Sequence, residues 1–584
     1  MSTSSTIPTP ASPDLVTHTI KVEGKALSGK YQILEISVSK EVNKVPSARI
    51  TLADGDATKE DFPISNTDDL IPGKPIEILA GYHSKESTIF KGVIARHNIS
   101  IGNARPTSLI VECKDPAVAL TVGRKNTALQ DIKDSAAIKD IIGTYSDIKA
   151  GTIKATDVEH TELLQYQATD WDFILTRAEA NGKIVIVDDG VVSVQTPDLS
   201  SAPVVTASYG ATILNLEAEL DAVPQQQSVK GYAWDYTGQV LSEVEGTDPG
   251  ISGQGNLSPS KLTAFAPKAF NLYGPPLPEE ELQAWADGVF LRHQLAKARG
   301  QVTFQGYADV KPGTVIELQG VGKRLNGKNF TAAVHHKIRK GNWLTTVDFG
   351  LSPEFFSAKA AVSAPPASGL LPAVNGLQIG KVTQLQEDPD GEDRIQVQLP
   401  IIEGKDAVGV WARMASLDAG ANRGSFFRPE IDDEVVLGFL NDDPRHAVVI
   451  GSLHSSTNPA PLTASAENPQ KGFFTREALK LLFDDEKKVI SLETPAGNTL
   501  TLSDDTAGIT LEDGNGNSIV MDADGITLKS GKDLNMEASG DVTLKGKNIS
   551  MTAKQKLKGK GSKGAELAAG GGNTIIKGAK VMIN

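Results

Sequence analysis

Three short constellations in this 584-residue chain have residue types that could do chemistry. Asp513-Gly514-Asn515-Gly516-Asn517 has the oxygen-donor spacing that opens a calcium loop. Its sixth position is Ser518, where the sharp turn asks for glycine, and Asp524 stands where a glutamate closes such a site. The same residues are what a tight turn between two strands requires, so a turn is expected. His335 and His336 are adjacent; on a strand they face opposite ways and cannot share one ion. Cys113 is the sole cysteine, which allows neither an internal disulfide nor a cysteine-built zinc site. Val111-Glu112-Cys113 reads as a strand end, so the thiol is expected to be buried. Carboxylate pairs such as Asp442-Asp443 lie in no context that suggests acid–base tuning. The HExxH, GxSxG and GxxxxGK[ST] patterns are absent. The expectation is a chain that is not an enzyme, with no catalytic residue, cofactor or metal.

Composition points the same way. A net charge of −14, hence −42 for three copies, argues against nucleic-acid binding, which depends on a basic surface. An apolar fraction of 39% with 5% aromatics fits a β-rich soluble protein, and no apolar run reaches membrane-spanning length. Met1–Asp14 is rich in Ser, Thr and Pro with no basic or apolar stretch, so a flexible arm without a signal peptide is expected.

At this length several domains are expected, and two Pro/Ala/Ser-rich stretches, 357–376 and 455–472, divide the sequence. The region before them mixes strands (31–39, 48–52, 75–80, 109–113) with two helices. One opens near Asp170, with Trp171, Ile174, Leu175 and Ala178 on one stripe and Asn181-Gly182 as its stop. The other opens after Pro278 with Glu279–Glu281 at the positive end of the dipole and stops near Gly300. Between the two stretches, five short strands (378–384, 394–399, 409–414, 434–439, 447–450) fit a small Greek-key barrel of the OB type. Its aromatics Trp411, Phe426, Phe427 and Phe439 stand among Asp432, Asp433, Glu434, Asp442 and Asp443, the wrong sign for a nucleic-acid platform.

The tail is a β-repeat. Alternating apolar pairs recur from Ile490/Leu492 through Leu500/Leu502, Ile509/Leu511, Ile519/Met521, Ile526/Leu528, Leu534/Met536 and Val542/Leu544 to Ile549/Met551. With so few apolar side chains per strand, one chain cannot fill a solenoid interior. Three intertwined chains would close the core, with Leu528, Met536, Leu544 and Met551 among its layers. Nine lysines (Lys529, Lys532, Lys545, Lys547, Lys554, Lys556, Lys558, Lys560, Lys563) stand against Asp533, Glu537 and Asp541 in this tail. They suit a solvent face that discourages strand-edge pairing, or a basic collar that meets anionic lipid or polysaccharide.

The whole chain resembles the VgrG-like spike proteins of contractile injection systems. The resemblance rests on Val45-Pro-Ser-Ala-Arg-Ile50 before Asp54-Gly-Asp56, Ile71-Pro-Gly-Lys-Pro-Ile-Glu-Ile78, Gly81-Tyr82, Ile89-Phe-Lys-Gly-Val93 and Asp170-Trp-Asp-Phe173 with Arg177. It is strongest in Gly409-Val-Trp-Ala-Arg413, Ala419-Gly420, Arg423-Gly424, Phe427-Arg-Pro-Glu430, Asp433-Glu-Val435, Gly438-Phe439 and Asp443-Pro-Arg445. The wording of this barrel is closer to spikes of extracellular phage-tail-like particles than to those of secretion systems. The implied fold is mainly β: an α+β tail-hub-like domain, an OB-fold barrel and a C-terminal triple-stranded intertwined β-helix in a homotrimer. The expected boundaries are a flexible arm 1–14, hub 15–356, linker 357–376, barrel 377–454, linker or neck 455–488 and shaft 489–584.

The resemblance implies as partners a hexameric inner-tube protein, baseplate and hub proteins, a PAAR-repeat tip protein docked on Val581, Met582, Ile583 and Asn584, effector cargo and, transiently, a target membrane. It implies assembly in the bacterial cytoplasm, as part of an extracellular or injected particle. The interval from Asn458 to Lys488 is too short for the lysozyme domain that some phage spikes carry, and no effector domain is expected after the shaft. The competing readings are a β-helical tailspike that binds or depolymerises surface polysaccharide, and a receptor-binding adhesin.

Overall fold

The computed structural model describes residues 15–102, 105–402 and 409–583. The expected arm 1–14, and Asn584, lie outside the described residues. The chain divides into two units, Met1–Leu377 with Gly438–Val448, and Gln378–Leu437 with Val449–Asn584.

The first unit is built on one long antiparallel sheet. Its strand order is Ile213–Leu220, Ala298–Gln305, Asn342–Phe349, Gly327–Arg339, Ile33–Glu41, Ser47–Ala53, Arg105–Lys114, Lys85–Gly102, Pro75–Tyr82, Val16–Val22, Lys25–Ala26. The four strands expected from sequence are there: the first keeps its length but is shifted by two residues, and the other three are longer by two to five residues. Two sequence-distant halves meet where Ile36 faces Ile338 across Ile33–Glu41 and Gly327–Arg339. Alternation places Ile36, Val38, Ile50, Leu52, Leu109 and Val111 on one buried face. A second core gathers Val302, Phe304, Ile316, Leu318, Val334 and Val347.

Both helices form where their caps lie. Asp170–Ala180 starts at Thr169, whose hydroxyl accepts from the Asp172 backbone N–H at 3.1 Å. Glu279–Leu295 follows Pro278 and buries Leu282, Ala286, Val289 and Phe290 against the sheet strand Val229–Asp235. It ends five residues before Gly300 because Ala298–Gln305 is already a strand. Asn181-Gly182 ends the first helix, and Gly182 lies so close to Gly288 of the second that a Cβ there would meet the Gly288 Cα at 2.7 Å.

The five expected strands close a barrel: Gln378–Gln384, Ile395–Gln398, Val410–Met414, Ala447–Ser452 and Glu434–Phe439. Val382, Ile395, Val397, Ala412, Val435, Leu437 and Val449 are fully buried inside it.

After the barrel comes a seven-stranded antiparallel meander in strict sequence order: Gln470–Phe474, Lys480–Asp484, Val489–Glu493, Thr499–Ser503, Gly508–Glu512, Ser518–Asp522 and Gly525–Lys529. It begins at Gln470, inside the stretch that composition marks as linker. The five alternating pairs from Ile490 to Leu528 each occupy one strand. Leu534/Met536, Val542/Leu544 and Ile549/Met551 form no strand within the chain. A strand needs a neighbouring strand for its backbone groups, and the described residues of 530–583 form no strand ladder in their own chain.

Candidate trimer interface

The alternation of the tail becomes two apolar columns on one face of the meander. Phe483 faces Ile490, which faces Leu502, then Ile509, Met521 and Ile526. Beside this column run Phe473, Leu481, Leu492, Leu500, Leu511, Ile519 and Leu528 in the same register. The other face carries Ser491, Thr501, Thr510, Val520 and Thr527. Cross-strand pairs of this kind are the unit of sheet stabilisation, yet here they are uncovered. In Val489–Glu493 the apolar Ile490 and Leu492 are exposed while Ser491 between them is half-buried. That inverts the usual distribution, and a contiguous apolar face of this extent marks an interface.

The inversion deepens toward the C-terminus. The sequence-predicted core residues Leu528, Met536, Leu544 and Met551 are 56%, 70%, 63% and 67% exposed in the single chain. Of these, only Leu528 lies on a strand. Val581, Met582 and Ile583 are exposed and outside any strand, and Asn584 is not among the described residues.

The top of the meander is tied to the barrel within the second unit. Phe427 stacks on Phe473 with centroids 5.5 Å apart and an interplanar angle of 18°. Arg476 Nη1 lies 2.9 Å from Glu430 Oε2. Arg428 donates to the Leu385 carbonyl at 2.9 Å, pairs with Asp393 and covers the Phe426 ring. The barrel aromatics therefore anchor the meander and the barrel loops. Sequence order gave no hint of the Phe427–Phe473 pair.

The residues with chemical potential do other things. Cys113 is fully buried on Arg105–Lys114, and burial, helped by the Glu112 charge, pushes its thiol up to about 12. A thiol held that high is a poor nucleophile at neutral pH. His336 is buried and His335 is at the surface, so the two face opposite ways. Burial first, then the nearby Lys40 charge and His335, holds His336 down to about 3. Asp513 takes the Asn515 and Asn517 backbone N–H groups at 2.9 and 3.0 Å. Its carboxylate is used by its own turn, and hydrogen bonds from Asn517 lead in holding it down to about 2. Among the described residues no group of three or more His, Cys, Asp or Glu could hold a metal ion.

Two ionic clusters, each centred on one buried residue, Lys40 and Asp134, were not legible in the sequence. Lys40 lies 2.9 Å from Asp189 and 2.5 Å from Asp188, which also takes Lys311 at 2.6 Å. Asp134 accepts from Arg177 Nε at 2.5 Å and from Asn181 at 2.9 Å, while Arg177 reaches Glu281 at 2.8 Å. Burial alone would raise the Asp134 carboxyl, but the Arg177 hydrogen bonds and charge bring it below its usual value. The first cluster joins the strands Ile33–Glu41 and Ile184–Asp188 to the loop at Lys311, and the second ties the helices Asp134–Gly143, Asp170–Ala180 and Glu279–Leu295 together. Among the described residues, no helix is long and apolar enough to cross a membrane.

Comparison with known proteins matches three segments of the chain. Residues 12–340 match the family model of the Alg8 N-terminal domain. Residues 378–454 match the type VI secretion system/phage-baseplate injector OB domain. Residues 489–557 match the phage baseplate V C-terminal trimerisation domain. The chain is similar to the type VI secretion system spike protein VgrG1b of Pseudomonas aeruginosa, 21% identical over 447 residues that cover 70% of this chain and 57% of that protein. It is also similar to the spike protein VgrG3 of Vibrio cholerae, 31% identical over 96 residues, 15% of this chain and 9% of that protein. The chain thus spans little more than half the length of VgrG1b. Among solved structures, the tail protein from Neisseria meningitidis MC58 superposes with a TM-score of 0.42 at 13% identity, over 58% of this chain and 98% of that one.

Proposed function

Because the chain belongs to the VgrG-like spike proteins of contractile injection systems, with an N-terminal half of the Alg8 N-terminal domain family, we infer that it works as a homotrimeric hub and spike. In this reading residues 15–356 of three copies form the ring that caps a hexameric inner tube, residues 377–454 the neck, and residues 489–584 the shaft. Sheath contraction drives the shaft outward through the target membrane. A PAAR-type tip protein would dock on Val581, Met582, Ile583 and Asn584 by strand-edge complementarity, of which the described Val581–Ile583 lie outside any strand. The subunit carries no catalytic step; its contribution is stiffness.

One observation carries the reading: on the apolar face of the meander Ile490, Leu492, Leu502, Ile509, Leu511 and Met521 are exposed, as are the apolar pairs that follow it. Covering a half-exposed Leu or Ile is worth roughly 1–2 kcal/mol at about 25 cal/mol per Å² of apolar surface. Two columns along seven strands therefore favour association strongly when three such faces turn inward. The match of residues 489–557 to a trimerisation domain supports the number three.

The test is mass. Light scattering of the purified full chain is expected to give three times the chain mass, and unheated SDS gels to retain the trimer. A monomer at micromolar concentration overturns the reading. A glycan depolymerisation assay that released reducing ends would instead favour a tailspike.

A further inference from the structure

The charge of the tail changes sign at one place. From Gln470 to Leu528 five basic residues stand against eleven acidic ones, a net of −6. From Lys529 to Lys563 nine lysines stand against Asp533, Glu537 and Asp541, a net of +6 in a chain whose total is −14. No acidic residue lies between Asp541 and Glu566. A face that merely needs solvation can use either sign, and the meander just before it uses acids. The reversal therefore asks for a partner of negative charge.

Spacing adds a direction. In Lys554-Gln555-Lys556-Leu557-Lys558-Gly559-Lys560 the lysines alternate without a break. In an extended backbone such alternation puts all four on one side, roughly 6.7 Å apart along about 20 Å of chain, with Gln555, Leu557 and Gly559 on the other. Each of the four is exposed. Three copies around a shaft would present twelve ammonium groups in one band.

Composition narrows the partner. The chain has no arginine after Arg476 and no aromatic residue after Phe483. Single-stranded nucleic acids are held by stacking on aromatics, and planar bidentate sites for single phosphates favour arginine. A band of ammonium charges alone recognises a dense, laterally mobile array of anions. That is the surface of a bilayer rich in anionic phospholipid, to which each lysine near the surface adds affinity.

We propose that Lys554, Lys556, Lys558 and Lys560 form a basic band that binds the anionic headgroups of the target bilayer. The proposal rests on the trimeric-shaft reading above. The band would hold the shaft at the membrane surface once the aromatic-free point has entered.

The experiment uses the full-length protein and vesicles of phosphatidylcholine with or without 25% phosphatidylglycerol, read by flotation at 0.1 and 0.5 M NaCl. The expected result is binding only to the anionic vesicles, at least tenfold weaker in the variant K554Q/K556Q/K558Q/K560Q and lost at 0.5 M salt, where the Debye length is only about 4 Å. A charge-matched variant at the exposed hub lysines, K85Q/K133Q/K139Q/K149Q, should bind as the parent does. Undiminished binding by the shaft variant overturns the proposal. So does equal binding to neutral vesicles, or retention by lipopolysaccharide micelles with none by phosphatidylglycerol. Light scattering of the same samples separates the two readings: a trimer that ignores lipid sinks only this proposal, whereas a monomer sinks the shaft itself.

Discussion

In the hub sheet, Ile36, Ile50 and Val111 lie side by side on neighbouring strands and none is more than 1% exposed. In the tail sheet, Ile490, Leu502 and Ile509 lie side by side in the same way and are 41%, 40% and 37% exposed. The residue types and the pairing geometry match; the cover does not. In the hub, Ile20, Ile78, Phe90 and Ile94 from other strands of the same sheet, with Leu70 from a short turn, pack into one core with these residues. The tail spends its residues on strands that begin every seven to ten positions, and among its described residues no further strand or helix packs over them. The first sheet is therefore completed within one chain, and the second only by other copies. One polypeptide thus contains a unit whose stability is its own and a segment whose stability depends on concentration.

The largest way to break this comparison is to put a charge in the shaft. Leu544→Asp is expected to lose three buried leucines at once, on the order of 6 kcal/mol per trimer, and to abolish the SDS-resistant trimer. Hub melting in the same variant should stay unchanged. If the variant still runs as a trimer on unheated gels, Leu544 is not a core layer.

A smaller effect is expected from Ile50→Ala. Truncating this buried isoleucine should cost about 2–4 kcal/mol through lost burial and a cavity. Calorimetry at two protein concentrations a hundredfold apart sharpens the contrast: the hub transition should stay in place while the shaft transition rises with concentration. Two transitions that move together would mean one cooperative body.

Smaller still is the acid response of the hub. The Asp134 carboxyl is held below its usual value of 3.8, so its stabilisation is fully present above that value and is lost as the pH falls through the lower folded value. Melting of the hub should therefore begin earlier as pH drops below 4, and Asp134→Asn should remove this part of the dependence. A pH profile that the substitution leaves unaltered would assign the acid response elsewhere.

The smallest perturbation is a probe. Cys113 has a thiol pushed up to about 12 inside the hub sheet, so maleimide labelling should occur only when that sheet opens. Leu544→Asp should leave the labelling rate as it is and Ile50→Ala should raise it.

Much of this fold was legible in advance. Gln378–Gln384 and Glu434–Phe439 occupy the span that their alternation marks, and both major helices start at their caps. What stayed illegible has long-range causes. The pairing of Ile33–Glu41 with Gly327–Arg339 joins residues some three hundred positions apart, and no local pattern encodes it. No local pattern marks Lys40 as buried; the fold brings Asp188 and Asp189 beside it from about 150 positions away in the chain. The meander reaches back to Gln470 because Phe473 pairs with Leu481 and stacks on Phe427, while the loop and linker residues around it hide the repeat.

The sequence by itself determined which tail residues share a face, since side-chain direction along a strand has a period of two whatever lies around it. It also determined the sign of charge along the shaft. Only the tertiary structure decided which apolar faces are covered: cover depends on what else the chain can bring near. In the hub that is the remaining strands of the same sheet, whereas among the described residues of the tail Ile490, Leu502 and Ile509 stay exposed.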